Sequence, residues 1–147
     1  MSEAPRFGTA GLSDSYRVRS FDPQAMAEYT ASFGLTAFEY SFGRGVRIKE
    51  ESARAIGEEF ARYGIWMSVH APYFINLATE DEEKKQNCLC YFEQACRAAQ
   101  WMGARRVVFH PGAQGKLQRA QAVENITTLL PEIMKKLEAQ ELLQGVT

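Results

Sequence analysis

The chain is poor in the residue types that most often announce a function. It has 2 histidines and 3 cysteines in 147 residues. It has no unbroken apolar run of the roughly eighteen residues that a membrane helix needs, which excludes a membrane span. The opening Met1-Ser2-Glu3-Ala4-Pro5-Arg6 lacks the apolar core of a secretory signal. Charge of one sign is also missing: 17 basic residues face 18 acidic ones, for a net charge of −1. Bulk charge therefore gives no nucleic-acid signal, and any polyanion site must come from a local arrangement. What is present, 46% apolar and 24% charged residues, is the mix of an ordinary globular protein and excludes disorder, collagen and coiled coil.

Cys88, Cys90 and Cys96 are an odd count in one short stretch and form no disulfide framework. On a helix, Cys88 and Cys90 would stand about 200° apart around the axis, and Cys88 and Cys96 about 12 Å apart along it, so no pair chelates one ion. They read as free thiols of a reducing compartment, and the expected location is cytoplasmic.

Short apolar runs alternate with long amphipathic ones. Arg6–Gly11 reads as a strand entering a glycine turn. Asp22-Pro23 reads as an N-cap with proline at the first helical position, opening a helix that ends near Gly34. Thr36–Phe42 is a β-branched and aromatic strand. Ala53, Ile56, Phe60 and Tyr63 recur at helical spacing between Lys49 and Tyr63, and Gly64 supplies the stop. Ile65–His70 is a third strand. Thr79 and Glu82 form a capping box for a helix whose stripe is Leu89, Phe92, Cys96, Ala99 and Met102, ending at Gly103. Arg106–His110 is a fourth strand. Leu117, Ala120, Val123, Ile126, Leu130, Met134 and Leu137 mark a fourth helix that Pro131 is expected to kink or divide.

The pattern predicts an α/β (βα)4 unit over residues 1–147, one domain with a parallel sheet and outer helices. Right-handed crossovers place all four βα loops on one edge, where α/β folds carry their ligand sites. Gly145-Val146-Thr147 reads as a helix stop and the first step of a fifth strand, so the chain is expected to be truncated.

Both histidines are predicted at strand ends. Ser68-Val69-His70-Ala71-Pro72 and Val108-Phe109-His110-Pro111-Gly112 each end a strand on His, with Pro close behind. Two imidazoles on neighbouring loops are half of a zinc site; two buried histidines satisfied by backbone are the plainer alternative. Arg17, Arg19, Arg44 and Arg47 would line the same edge, either as a phosphate-binding rim or as a solvated face paired with nearby carboxylates. Glu39, inside the second strand, is expected to pair with an arginine rather than to act as ligand or base. Tyr73 and Phe74 either stack on bases or pack their loop. Gly8-Thr9-Ala10-Gly11 is too short for a dinucleotide fingerprint.

Three segments resemble the endonuclease IV family: Gly43-Arg44-Gly45-Val46-Arg47-Ile48, Ser68 to Ala78 with its H-x-x-Y-x-I-N-L-A pattern, and Val107 to Gly112. These are zinc-dependent apurinic/apyrimidinic endonucleases of the xylose-isomerase-like barrel superfamily. The resemblance implies a TIM barrel of which this chain is the N-terminal half, with up to three zinc ions at its mouth. It implies hydrolysis of the phosphodiester 5′ to abasic sites in DNA repair, with His70 and His110 as zinc ligands. It also implies that Tyr73 and the loop of Arg44 and Arg47 face DNA. The family's remaining ligands would lie beyond Thr147, so the isolated chain is expected to be inactive. Phe7-Gly8-Thr9-Ala10-Gly11 lacks the histidine that better-known members carry near the first strand, the mark of a divergent branch. Two further readings stand beside the nuclease: a sugar isomerase or epimerase of the same superfamily, and a non-catalytic half-barrel that self-associates as a homodimer through its open sheet edges.

Overall fold

The computed structural model of the chain describes residues 4–146. The opening residues 1–3 of the segment read for a signal, and Thr147 of the expected fifth strand, lie outside the described residues. Strands and helices alternate: β1 (Gly8–Ala10), α1 (Pro23–Ser32), β2 (Ala37–Ser41), α2 (Glu50–Arg62), β3 (Trp66–His70), α3 (Glu82–Met102), β4 (Arg106–Val108) and α4 (Arg119–Ala139). The strands form one parallel sheet in the order β1-β2-β3-β4, so each strand lies beside the next in sequence. This is the (βα)4 arrangement that the alternating periodicities predict, and it brings the loops after β1, β2 and β3 to one edge with the loop after β4.

Strand alternation divides the sheet into two faces. Phe38 of β2 and Met67 and Val69 of β3 are buried under the helices with Ile56, Phe60, Phe92 and Ala99. Phe38 and Phe60 have ring centroids 4.7 Å apart. Glu39, Ser68 and His70 alternate with those core residues and lie on the other face. α2 and α3 approach closely at Gly57, where a β-carbon would stand 2.3 Å from the Met102 carbonyl oxygen.

Several local expectations hold. Asp22 caps α1, its Oδ1 accepting from the Ala25 N–H at 3.0 Å with Pro23 at the first position. The α3 stripe of Leu89, Phe92, Cys96, Ala99 and Met102 is buried throughout. Cys88 and Cys96 are buried and Cys90 is exposed, all as free thiols.

Others are corrected. The cap of α3 is Asp81, whose Oδ1 accepts from Lys84 N–H at 3.1 Å, not a Thr79–Glu82 box. Thr79 instead accepts from the Asp81 N–H and shapes the turn before the helix. Pro131 does not divide α4, which runs unbroken from Arg119 to Ala139. The buried stripe of α4 is Ala122, Leu129, Ile133 and Leu137, whereas Val123 and Met134 are 51% and 37% exposed. Apolar residues occupy two adjoining faces of that helix, and only contact with α3 decides which one is inside.

Candidate metal centre

The candidate site is built at the C-terminal edge of β3 and β4. His70 is the last residue of β3 and is fixed by the ladder, paired in register with Ser41 on one side and Val108 on the other. His110 is not the end of its strand: β4 stops at Val108, and His110 stands two residues into the following loop. The apolar run Val107-Val108-Phe109 reads as strand up to the histidine, but Phe109 leaves the ladder to pack edge-on against Phe92, 4.8 Å between centroids. The two imidazoles nonetheless converge, with ring centroids 5.0 Å apart and planes inclined at 49°.

His70 Nδ1 lies 3.0 Å from the Ala71 carbonyl oxygen. A carbonyl only accepts, so Nδ1 is the donor of this bond, and Nε2 is the nitrogen left to face a metal. That backbone-anchored tautomer is the form in which a histidine ligates metal. The plain alternative, two buried histidines satisfied by backbone, describes half of this: His70 has its backbone partner, but His110 is exposed. The pair fits two corners of a zinc site. Among the described residues no third His, Cys, Asp or Glu joins them.

Among the described residues Glu39 joins no ion pair with an arginine; its Oε2 accepts from Ser68 Oγ at 3.3 Å across the β2–β3 register. Nearby, Arg6 and Arg105 both stack on Trp66, with guanidinium carbons 3.8 and 3.6 Å from a ring centroid.

Arg44 and Arg47 are exposed on the β2–α2 loop beside a groove of about 680 Å³, lined also by Phe21, Tyr40, Phe42 and Lys49. Arg17 and Arg19 are exposed on the β1–α1 loop. Among the described residues none of these four arginines joins an ion pair. Tyr73 is 54% exposed, and its ring comes within 3.6 Å of where a β-carbon on Gly43 would stand, so the β2 and β3 loops touch at the rim. Tyr73, Phe74 and Tyr91 follow one another as an aromatic ledge, with centroids 5.0 and 6.0 Å apart. The structure thus gathers His70, His110 and Tyr73 on adjoining loops and sets Arg44 and Arg47 on the next one.

Sequence reasoning left Asn76 and Gly112 without a role, although both stand inside the quoted motifs. A β-carbon on Gly112 would meet Asn76 Oδ1 at 2.2 Å, so these two residues touch where the histidine loops meet.

The chain is 32% identical over 138 residues to an uncharacterized protein of Methanocaldococcus jannaschii, covering 92% of this chain and 47% of that protein. It is 32% identical over 68 residues to a probable endonuclease 4 of Mycoplasma genitalium, 46% of this chain and 23% of that protein. Among solved structures, the D-psicose 3-epimerase of Clostridium cellulolyticum H10 superposes with a TM-score of 0.66 at 14% identity, covering 85% of this chain and 45% of the epimerase. That last likeness is one of fold. The chain spans about half the length of the first of these relatives. The consecutive parallel order of its strands is that of half a barrel wall, and a family model of xylose isomerase-like TIM barrels matches residues 27–144. The chain belongs to the xylose isomerase-like TIM barrel family.

Proposed function

We propose that the protein carrying this chain is a zinc-dependent apurinic/apyrimidinic endonuclease, and that this chain supplies the first two metal ligands and part of the DNA-facing rim. The observation that carries the reading is the convergence of His70 and His110 at 5.0 Å on the edge where Tyr73, Arg44 and Arg47 also stand. Likeness in sequence to endonuclease 4 supports it.

His70 would offer Nε2 to a zinc ion while its Nδ1–H stays on the Ala71 carbonyl, and His110 would offer the second imidazole. Zinc, when bound, supplies an activated water and a Lewis acid for the phosphoryl oxygens. Arg44 and Arg47 place unpaired positive charge along a groove and would hold backbone phosphates, a local field that a net charge of −1 conceals. The exposed ring of Tyr73 offers a stacking face beside them.

The test is incision of a duplex holding one abasic site by the intact protein with Zn2+. The expected product ends in a 3′-hydroxyl. Changing outer-shell partners of a metal already costs 10- to 100-fold, so His70→Ala and His110→Ala should each lower incision by about 100-fold or more. Unchanged zinc content and incision in both variants would overturn the reading. Turnover of a ketose with no nicking would move the assignment to an epimerase of the same barrel fold.

Self-association of this chain is a second proposal, and it rests on the sheet. β1 and β4 are both outer strands, and Val108 on β4 is 39% exposed. Two copies joined β4 to β1 would close an eight-stranded wall with two-fold symmetry.

A further inference from the structure

His110 lies beyond the ladder that fixes His70. The last register pair of β3 and β4 joins His70 to Val108, so strand pairing does not set the position of His110. Contacts from the β3–α3 loop do. Ala71 N–H donates to the Val108 carbonyl at 2.8 Å, and Leu77 N–H donates to the Pro111 carbonyl at 2.8 Å. Beside these, Gly112 closes on Asn76. Its φ of +134° is one that side chains avoid. A β-carbon there would stand 2.2 Å from Asn76 Oδ1 and 3.1 Å from Asn76 Cα.

Asn76 is not free to yield. Its Oδ1 accepts from the Ala78 N–H at 3.2 Å. Its own N–H points to Cys88 Sγ of α3 at 3.3 Å. The Ala78 carbonyl in turn accepts from Asn125 Nδ2 of α4 at 2.9 Å. The contact between the two histidine loops is therefore anchored on both helices behind it.

We infer that Asn76 and Gly112 are positioning residues that set the separation of His70 and His110. The ring geometry follows from backbone contact between two loops, and either residue can be altered without touching an imidazole. In its metal-binding arm this inference rests on the zinc reading above; in its ring-geometry arm it does not.

The experiment uses the intact protein that carries this chain. Ring-proton NOEs between His70 and His110 report the pair without metal. Titration with Zn2+ alone, followed through the imidazole nitrogen shifts, reports its use. In Gly112→Ala and in Asn76→Ala the inter-ring NOE should vanish and Zn2+ should bind about 10-fold more weakly or worse, the usual cost of removing an outer-shell support. Asn76→Asp keeps an oxygen acceptor for Ala78 and should retain the NOE. If Gly112→Ala does not fold, Asn76→Ala decides. An inter-ring NOE that persists in Asn76→Ala overturns the inference, whatever zinc does. If the NOE is lost but Zn2+ binds the parent no better than it binds His70→Ala and His110→Ala, the zinc reading falls and the positioning role stands.

Discussion

Cys96 shows how burial acts at a single residue. It is 2% exposed in the core, and desolvation pushes its thiol up to about 11 from an ordinary 9.0. The unfolded chain releases this proton above pH 9 and the folded chain holds it until about 11. The contribution is thus intact below pH 9 and is lost as pH rises through that window. Denaturant unfolding at a series of pH values should show a decline over this range. Cys96→Ala should remove about 3 kcal/mol of it, the product of the shift and the 1.36 kcal/mol that each pKa unit carries. An identical decline in the variant would show that burial does not hold the proton. The same reasoning explains the histidine pair: residue type marks His70 as a possible ligand, but only its hydrogen bond to Ala71 assigns the proton to Nδ1.

Helix ends and faces belong to the element scale. Asp81 caps α3 through Lys84 N–H, and α3 supplies eight buried residues, so its first turn bears on the whole core. Asp81→Ala should cost about 1 kcal/mol, the usual value of an N-cap. Glu82→Ala, at the position the capping-box motif assigns to the reciprocal partner, should cost clearly less; chemical denaturation of the two variants checks the order. The motif Thr79-x-x-Glu82 misplaces the cap by two residues because Asp81 is an equally good capping residue, and the turn that Thr79 makes with Asp81 N–H decides between them. The α4 stripe and the end of β4 fail for a related reason. An apolar residue carries no mark of which neighbour it meets: Val123 and Met134 match the helical period yet stay exposed, and Phe109 matches a strand yet turns into the core against Phe92.

For the whole molecule, the sheet order β1-β2-β3-β4 leaves an edge at each end, and the face away from the helices carries Glu39, Ser68 and His70. Sedimentation of the 147-residue chain should find a dimer whose fraction rises with concentration, and Val108→Lys should shift it toward monomer, since charge on an edge opposes pairing. The same chain should give no incision of abasic duplex, because two imidazoles leave a zinc site short of ligands. A monomer at all concentrations would remove the self-association proposal and leave the zinc reading untouched. The order of elements, the parallel sheet, the cap on α1, the buried stripe of α3 and the edge that bears the histidines were all legible in the sequence. They follow from periodicity, capping chemistry and chain handedness, which are local properties. The tertiary structure alone decided the rest: which face of α4 is inside, that Glu39 meets Ser68 instead of an arginine, and that Gly112 reaches Asn76. Those are contacts between segments distant in the chain, and no local pattern encodes a distance between two loops.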